Sequence, residues 1–196
     1  MGAKKLIFIK DEEFIRGKCP MTKEEIRMLS ISKMNLETDS TVLDVGSGTG
    51  SITVQSAVIC REGKVYSIEK EEEAYNVTQS NIEKFQCSNI ELLKNDADSA
   101  LTELENKNIK FDSVFIGGSS GQLKEIINKC DRMLKSNGTI VMNFITLDNA
   151  YKAIEILKKL QYKVDISLIN VSKNRGNTLM MIALNPIYII QCSKAN

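Results

Sequence analysis

A glycine-rich turn beside two carboxylates is the part of this sequence whose residue types are best suited to binding and chemistry. The aliphatic run Thr41–Val45 contains Asp44 and leads into Gly46-Ser47-Gly48-Thr49-Gly50, and an apolar run of near-helical spacing, 51–58, follows. Glycine tolerates the positive φ of a tight turn and lets a ligand approach bare backbone. N–H groups at the start of the following helix can bind an anionic or polar group. The pattern predicts a strand, a ligand-binding turn and a helix.

A second acid, Glu69, ends the run Lys64–Glu69 about twenty residues further on, where a carboxylate can accept hydrogen bonds from a ribose diol. A dinucleotide site accommodates a pyrophosphate and usually reads GxGxxG, whereas this turn reads GxGxG. The carboxylate of Asp44 beside the turn suits a cationic amino-acid group better than a pyrophosphate. The turn resembles motif I of the class I S-adenosylmethionine-dependent methyltransferases, and this resemblance favours S-adenosyl-L-methionine over NAD.

Two further stretches follow predicted strands in the same way. Asp96 and Ala97 come after the third predicted strand, 89–93, where the carboxylate can accept from an adenine amino group and the alanine can lie flat against the ring. Gly117-Gly118-Ser119-Ser120-Gly121 comes after the fourth predicted strand, 111–116. Ligands of open α/β sheets bind outside the carboxyl ends of the strands. Each acid alone could equally be a helix N-cap or a surface carboxylate, but acids at three successive strands favour one shared site.

The order of predicted elements indicates the fold that must position these residues. Five strand patterns alternate with helix patterns between residues 41 and 160, and Tyr162–Val171 and Thr178–Leu184 then read as two strands joined by a short loop. Such alternation favours a parallel sheet with right-handed crossovers and helices on both faces. We predict a Rossmann-like α/β fold: a seven-stranded, mostly parallel sheet with an antiparallel C-terminal strand pair, in a single domain spanning residues 1–196.

The first 21 residues read as an N-terminal arm that precedes the first helix. Thr22-Lys23-Glu24-Glu25 has the T-x-x-E spacing of a capping box, which predicts a helix that begins there. We expect this helix to bury Ile26, Leu29 and Met28 against the sheet.

Composition limits the classes of function. The 196 residues carry a net charge of +1 and are 42% hydrophobic, which is ordinary for one globular domain and gives no general attraction to nucleic acid. No apolar run approaches the roughly 18 residues of a membrane span, so we expect a cytoplasmic protein without nucleic-acid or membrane partners. The chain has no histidine, which excludes a Ser-His-Asp triad and a histidine metal site. Its five widely spaced cysteines form no CxxC pair, so we expect no metal site.

Four stretches carry a closer resemblance: Asp11-Glu12-Glu13-Phe14-Ile15, Pro20-Met21-Thr22-Lys23-Glu24-Glu25-Ile26-Arg27, Asp44–Gly50 and Ile116–Gly121. In these stretches, and over nearly the whole chain, the sequence resembles the decarboxylating cobalt-precorrin-6B (carbon-15)-methyltransferases of cobalamin biosynthesis. Ser120 stands where that family is expected to have glycine, and Ser47 replaces a frequent cysteine.

The resemblance implies methylation of a tetrapyrrole meso carbon by S-adenosyl-L-methionine, coupled to decarboxylation of an acetate side chain. It places Thr22, Gly46 through Gly50, Glu69 and Ala97 in the cofactor site, and it implies a homotetramer. A separate methyltransferase of the same pathway stays open as a partner. No residue is assigned as catalytic, because the sulfonium already makes the methyl group a ready electrophile and the protein mainly aligns the reactants.

A tetrapyrrole with many carboxylates needs basic residues at the rim of its site. The candidates are Arg16 and Lys18 in the arm and Lys173 and Arg175 in the last loop, and each could equally be a solvent-exposed charge. Arg175 is the preferred one, because arginine holds a carboxylate in a two-pronged fork. We expect the tetrapyrrole to lie over residues 117–121, with the arm closing one side of the cleft.

Two other readings stay open. The chain could be a class I methyltransferase that acts on another small molecule or on RNA, although the sequence shows neither a basic stripe nor an aromatic stacking platform. It could also be a non-catalytic relative, in which case the glycine turn and its acids would be expected to have decayed.

Overall fold

The computed structural model describes residues 8–118 and 121–194. A short 3₁₀ helix, Asp11–Glu13, lies within the arm. The six helices of the described residues are α1 Glu24–Lys33, α2 Ser51–Ile59, α3 Glu72–Lys84, α4 Ala97–Asn106, α5 Leu123–Met133 and α6 Leu147–Lys159. The nine strands of the described residues are β1 Thr41–Val45, β2 Lys64–Glu69, β3 Ile90–Lys94, β4 Phe111–Ile116, β5 Leu134–Phe144, β6 Tyr162–Ile169, β7 Ser172–Asn174, β8 Met181–Ala183 and β9 Ile187–Lys194.

Seven strands form one sheet in the order β3-β2-β1-β4-β5-β9-β6. The five from β3 to β5 are parallel, and β9 lies antiparallel between β5 and β6. The predicted sheet is therefore confirmed in strand number and direction. The chain reverses its direction of sheet growth between β1 and β4, and this switch point opens a crevice at the carboxyl ends of the strands.

The position of the last strand of the sheet was predicted wrongly. The stretch Thr178–Leu184 contains β8, which pairs with β7 in a separate two-stranded hairpin, and the seventh strand of the sheet is β9. Both stretches are apolar, so composition alone does not distinguish them. The side chains of β8 are exposed, whereas Ile189, Ile190 and Cys192 of β9 are buried in the sheet, and this burial decides which stretch joins it.

Helices cover both faces of the sheet, as predicted. Leu101 of α4, Ile126 of α5 and Ala153 of α6 belong to one core cluster. Ile26 of α1 and Ile52 of α2 belong to the cluster on the opposite face. Among the described residues no helix is long and apolar enough to cross a bilayer.

Helix α1 differs from the prediction in its start and in its buried face. Its N-cap is Lys23, which makes no side-chain cap, and the capping box expected from Thr22 does not form. The helix buries Ile26, Arg27, Ser30 and Ile31, whereas Met28 and Leu29 are 38% and 40% exposed. The buried face of α1 therefore differs from the predicted one, because Arg27 faces inward and binds Asp11 of the arm.

The described part of the arm, residues 8–21, is fixed to the body by backbone hydrogen bonds. The Ile9 N–H donates to Gln55 Oε1 of α2 at 2.9 Å, and the Ile15 N–H donates to Asn81 Oδ1 of α3 at 2.8 Å. The Thr49 N–H of the glycine turn donates to the carbonyl of Pro20 at 3.2 Å. The end of the arm therefore lies against the glycine turn.

Candidate cofactor cleft and adjoining cavity

A cleft of about 620 Å³ lies at the carboxyl ends of β1, β2 and β4, at the switch point of the sheet. Its size is typical of small-molecule sites. The predicted site residues on its wall are Thr22, Gly46, Ser47, Gly48, Glu69, Asp96, Ala97, Gly117 and Gly118. Elements far apart in the sequence thus bring most of the predicted residues to one cleft, while their binding roles stay predictions.

The glycine turn is packed tightly between the arm and the loop after β4. The φ values of Gly46, Gly48 and Gly50 are +80°, +59° and +74°, in the left-handed region that favours glycine. A Cβ on Gly48 would lie 2.5 Å from the Pro20 carbonyl oxygen, and a Cβ on Gly46 would lie 3.0 Å from the Gly118 nitrogen. Close approach of backbone to backbone therefore requires these glycines.

The N–H groups of the turn are used within the protein. The N–H groups of residues 46 and 47 both donate to the carbonyl of Ile68, and the N–H of residue 48 donates to the carboxylate of Glu69. The N–H of residue 49 donates to the carbonyl of Pro20, and the N–H of residue 50 donates to the carbonyl of Ser47. The amides of residues 46–50 are therefore engaged within the protein, because the turn folds back onto β2 and the arm, while the expected binding of a polar group by the N–H groups at the start of α2 stays a prediction. What the turn offers a ligand is space without side chains.

Glu69 is the carboxylate on the cleft wall. It is 7% exposed; its Oε2 accepts from the Gly48 N–H at 2.9 Å, and its Oε1 accepts from the N–H groups of Lys70 and Glu71 at 2.9 Å each. These bonds fix the carboxylate between the glycine turn and the loop after β2. A carboxylate has about four lone-pair sites, so it keeps acceptor capacity for ligand hydroxyl groups.

Asp44 lies beneath the turn rather than on the cleft wall. It is 1% exposed, its Oδ2 accepts from Thr53 Oγ1 at 2.5 Å, and Thr53 is hydrogen-bonded in turn to Ser67 at 2.9 Å. Its Oδ1 has no hydrogen-bond partner among the described residues. Burial, with a smaller contribution from the charge of Glu69, raises the pKa of Asp44 to about 7 against the opposing bonds from Thr53. A cation bound nearby would stabilise the charged form.

Three other predicted residues have structural contacts. Thr49 is 1% exposed, and a Cβ on Gly50 would lie 2.8 Å from the side chain of Thr78. Both residues are packed against the protein and neither lines the cleft. Asp96 is the N-cap of α4 and accepts from the Ser99 N–H at 3.0 Å, a bond that lowers the pKa of the carboxyl. Asp96 therefore lies on the cleft wall and also caps a helix.

The residues expected on the substrate side separate into two groups. Gly117 and Gly118 lie on the cleft wall, while Gly121 is outside it and Ser119 and Ser120 lie outside the described residues. Arg16 is held by Asp11, at 3.8 Å and through the Asp11 carbonyl. Arg175 lies on the β7–β8 turn, where its N–H donates to the carbonyl of Met180. Neither arginine lines the cleft.

Seven residues of the cleft wall were missed: Pro20, Val45, Ile68, Lys70, Glu71, Asn95 and Gln122. Five of them adjoin a predicted strand end or site residue in the sequence, so the strand boundaries could have indicated them. Pro20 reaches the cleft because of the path of the arm, for which the only signal was the stretch similar to the precorrin enzymes.

A second cavity of about 350 Å³ adjoins the cleft. The two share Pro20, Thr22 and Gly117 in their walls. The other residues of the second cavity are Met21, Lys23, Ile26, Asn143, Ile145, Val171, Leu184, Asn185 and Ile187. Its wall is mostly apolar, and it lies beside the carboxyl end of β5.

Comparison with known proteins shows to which family the sequence is similar. The sequence model of the precorrin methyltransferase domain matches residues 13–190. A protein of Sulfurisphaera tokodaii, named a probable cobalt-precorrin-6B C(15)-methyltransferase (decarboxylating), is 40% identical over 190 residues, which are 95% of this chain and 97% of that protein. A Methanocaldococcus jannaschii protein of the same name is 40% identical over 186 residues, covering 93% and 96%.

A solved structure agrees with the sequence comparisons. The crystal structure of precorrin-6y C5,15-methyltransferase from Geobacter metallireducens has a TM-score of 0.90 and 36% identity, and the match covers 97% of this chain and 99% of that one. Fold and sequence thus agree along almost the whole length. The chain belongs to the precorrin methyltransferase family.

Proposed function

We propose that this chain uses S-adenosyl-L-methionine to methylate carbon 15 of a cobalt-precorrin and to remove carbon dioxide from an acetate side chain of the ring, in cobalamin biosynthesis. The observation that carries the proposal is a pair of adjoining cavities: one is lined by carboxylates that could bind a nucleoside, and the other is mostly apolar. The chain is also similar over its length to relatives named as probable cobalt-precorrin-6B C(15)-methyltransferases. Two reactants can meet where the cavities share the backbone of Gly117.

The residues of the cleft fit S-adenosyl-L-methionine better than a dinucleotide. The N–H groups of residues 46–50 are all engaged and so are not free for a pyrophosphate, and the buried Asp44 Oδ1, which has no hydrogen-bond partner among the described residues, favours a cationic group nearby. Glu69 would accept from the ribose hydroxyls, and Asp96 and Ala97 would contact the adenine. Bound there, the cofactor supplies a sulfonium whose methyl group is electrophilic.

The work of the protein is alignment and exclusion of water. Holding two reactants in a productive geometry removes much of the entropic barrier to reaction. Decarboxylation of the acetate leaves an electron pair conjugated with the ring, which makes the ring carbon nucleophilic. Apolar residues such as Ile26, Ile145 and Ile187 would keep water away from the edge of the ring that enters the second cavity.

The homotetramer, the cytoplasmic location and the single domain of residues 1–196 stay predictions. Apolar side chains of the β7–β8 hairpin support assembly, because Leu179, Met180 and Met181 are 95%, 65% and 59% exposed. The partner methyltransferase likewise stays a prediction.

The RNA alternative has no observation in its favour. The walls of the cleft and of the second cavity contain no aromatic side chain among the described residues, and RNA bases are commonly bound by stacking on aromatic rings.

The proposal is tested by incubating the protein with S-adenosyl-L-methionine and cobalt-precorrin-6B and analysing the product by mass spectrometry. We expect the ring to gain one methyl group and to lose one carbon dioxide, with no methyl gain when the cofactor is omitted. An unchanged tetrapyrrole, together with methyl transfer to RNA in a parallel reaction, would contradict the proposal.

A further inference from the structure

Most basic residues first considered for the substrate are engaged elsewhere or lie outside both cavities. Lys173 forms a 2.6 Å ion pair with Glu25, and Arg16 pairs with Asp11. Arg175 is on the exposed β7–β8 turn. A carboxylate that enters the second cavity would not meet these cations on its wall.

Lys23 is different in both position and pairing. It is half-buried and lines the second cavity, one residue after Thr22, which lines both cavities. Its side chain forms no ion pair or hydrogen bond with any residue that the structure describes. The nearby carboxylate of Glu25 already accepts from Lys173. The lysine thus brings an ammonium group without a direct partner among the described residues to a mostly apolar wall.

The wall around Lys23 offers few side-chain acceptors for its ammonium group. Met21, Ile26 and Ile187 are among its neighbours on the wall and offer no acceptor side chain. The Asn143 amide is hydrogen-bonded to the Ser30 hydroxyl at 2.9 Å, which fixes a second polar group on the same wall. A cation in such surroundings gains most from an anionic partner, and an ammonium–carboxylate hydrogen bond is among the stronger ones.

We propose that Lys23 binds a side-chain carboxylate of the tetrapyrrole and so positions the ring edge in the second cavity beside the cofactor cleft. The inference rests on the proposed function, because it takes the carboxylate to be that of the ring. It assigns substrate positioning to Lys23 in place of Arg16 and Arg175. Fixed Asn143 would offer the same ring edge an amide group.

The test compares Lys23→Met, which removes the charge, with Lys23→Arg, which keeps it. We expect Lys23→Met to raise the KM for cobalt-precorrin-6B about 10-fold or more, the range for losing a hydrogen bond to a charged group, with a smaller change in kcat. Lys23→Arg should restore most of the loss. A titration of cobalt-precorrin-6B by its absorbance, without the cofactor, should show the same order of affinities.

Lys163→Met is the matched control. Lys163 is exposed near the start of β6 and pairs with Ser193 of β9, which pairs in turn with Thr139 of β5, and none of these residues lines either cavity. We expect this variant to keep the parent KM. Calorimetry should give the same affinity for S-adenosylhomocysteine in all three variants, since Lys23 does not line the cleft.

The outcomes separate the inference from the function it rests on. A parent protein that shows no activity with cobalt-precorrin-6B and S-adenosyl-L-methionine would overturn the proposed function. An active parent with an unchanged KM in Lys23→Met would overturn only the role of Lys23. A fall in thermal stability in Lys23→Met that Lys23→Arg does not restore would assign the lysine a structural role and would also overturn the inference.

Discussion

Replacing Arg27 by methionine should detach the arm from α1 and lower stability strongly. The Arg27 side chain is 0% exposed and donates to Asp11 Oδ1 at 3.0 Å, to the Thr22 carbonyl at 2.8 Å and to the Ile9 carbonyl at 2.5 Å. Its guanidinium also lies 4.8 Å from the centre of the Phe14 ring. One side chain thus joins the arm to the segment that lines both cavities.

The size of the effect follows from what the substitution leaves behind. Asp11 is 8% exposed and, among the described residues, would keep Arg16, 3.8 Å away, as its remaining ion-pair partner, while the carbonyls of Ile9 and Thr22 would lose a donor. Breaking a buried ion pair from one side costs about 3–5 kcal/mol. We therefore expect Arg27→Met to lower the free energy of unfolding by about 3–5 kcal/mol, and Tm by about 6–20 °C for a chain of this size.

Urea unfolding of the parent protein, Arg27→Met, Asp11→Asn and the double variant measures this directly. The double variant should lose less than the sum of the single losses, because neither partner is left charged and alone. The exposed Arg61, replaced by methionine as a control, should change stability by about 0.5 kcal/mol or less. A loss below about 1 kcal/mol in Arg27→Met, or strictly additive losses, would refute the assigned role of the pair.

Three further predictions concern the cleft. Glu69→Gln should weaken S-adenosyl-L-methionine binding about 10- to 100-fold by calorimetry, and an unchanged affinity would remove Glu69 from the site. Gly48→Ala should destabilise the fold in urea, since its Cβ would lie 2.5 Å from the Pro20 oxygen, whereas Gly118→Ala, whose Cβ meets no described residue within 4 Å, should not. Because burial raises the pKa of Asp44 to about 7, above its unfolded value, folding favours the protonated acid. The contribution of Asp44 to stability should fall as pH rises from about 4 to 7, so over this range the stability of Asp44→Asn should increase relative to that of the parent protein; equal slopes of stability against pH would contradict this.

The central part of the fold could be predicted because its strands are buried on both faces. Strands β2 and β4 match their predicted bounds, since each reads as an apolar run that ends at an acid or a glycine. The last strand could not be located in this way. Residues 178–184 and β9 have similar apolar composition, and only pairing with the distant β5 and β6 distinguishes them.

The site could be predicted where it depends on strand ends, and not where it depends on the arm. Glu69 and Ala97 reach the cleft because parallel strands end at the same edge of the sheet. Pro20 lines both cavities and Lys23 lines the second one, next to the segment that Arg27 binds at the Thr22 carbonyl. Helical periodicity does not predict that an arginine is buried, so it could not indicate this contact. The same periodicity predicted that Leu29 is buried, whereas Leu29 is exposed and Arg27 is buried.

The most direct test of the proposed activity follows both groups of the reaction in one incubation. The parent protein is given cobalt-precorrin-6B and S-adenosyl-L-methionine with a ¹³C-labelled methyl group, and NMR locates the label in the product while released carbon dioxide is measured. The account predicts label on carbon 15 and one carbon dioxide released for each methyl group transferred. Label on another ring position, or methyl transfer without release of carbon dioxide, would contradict it.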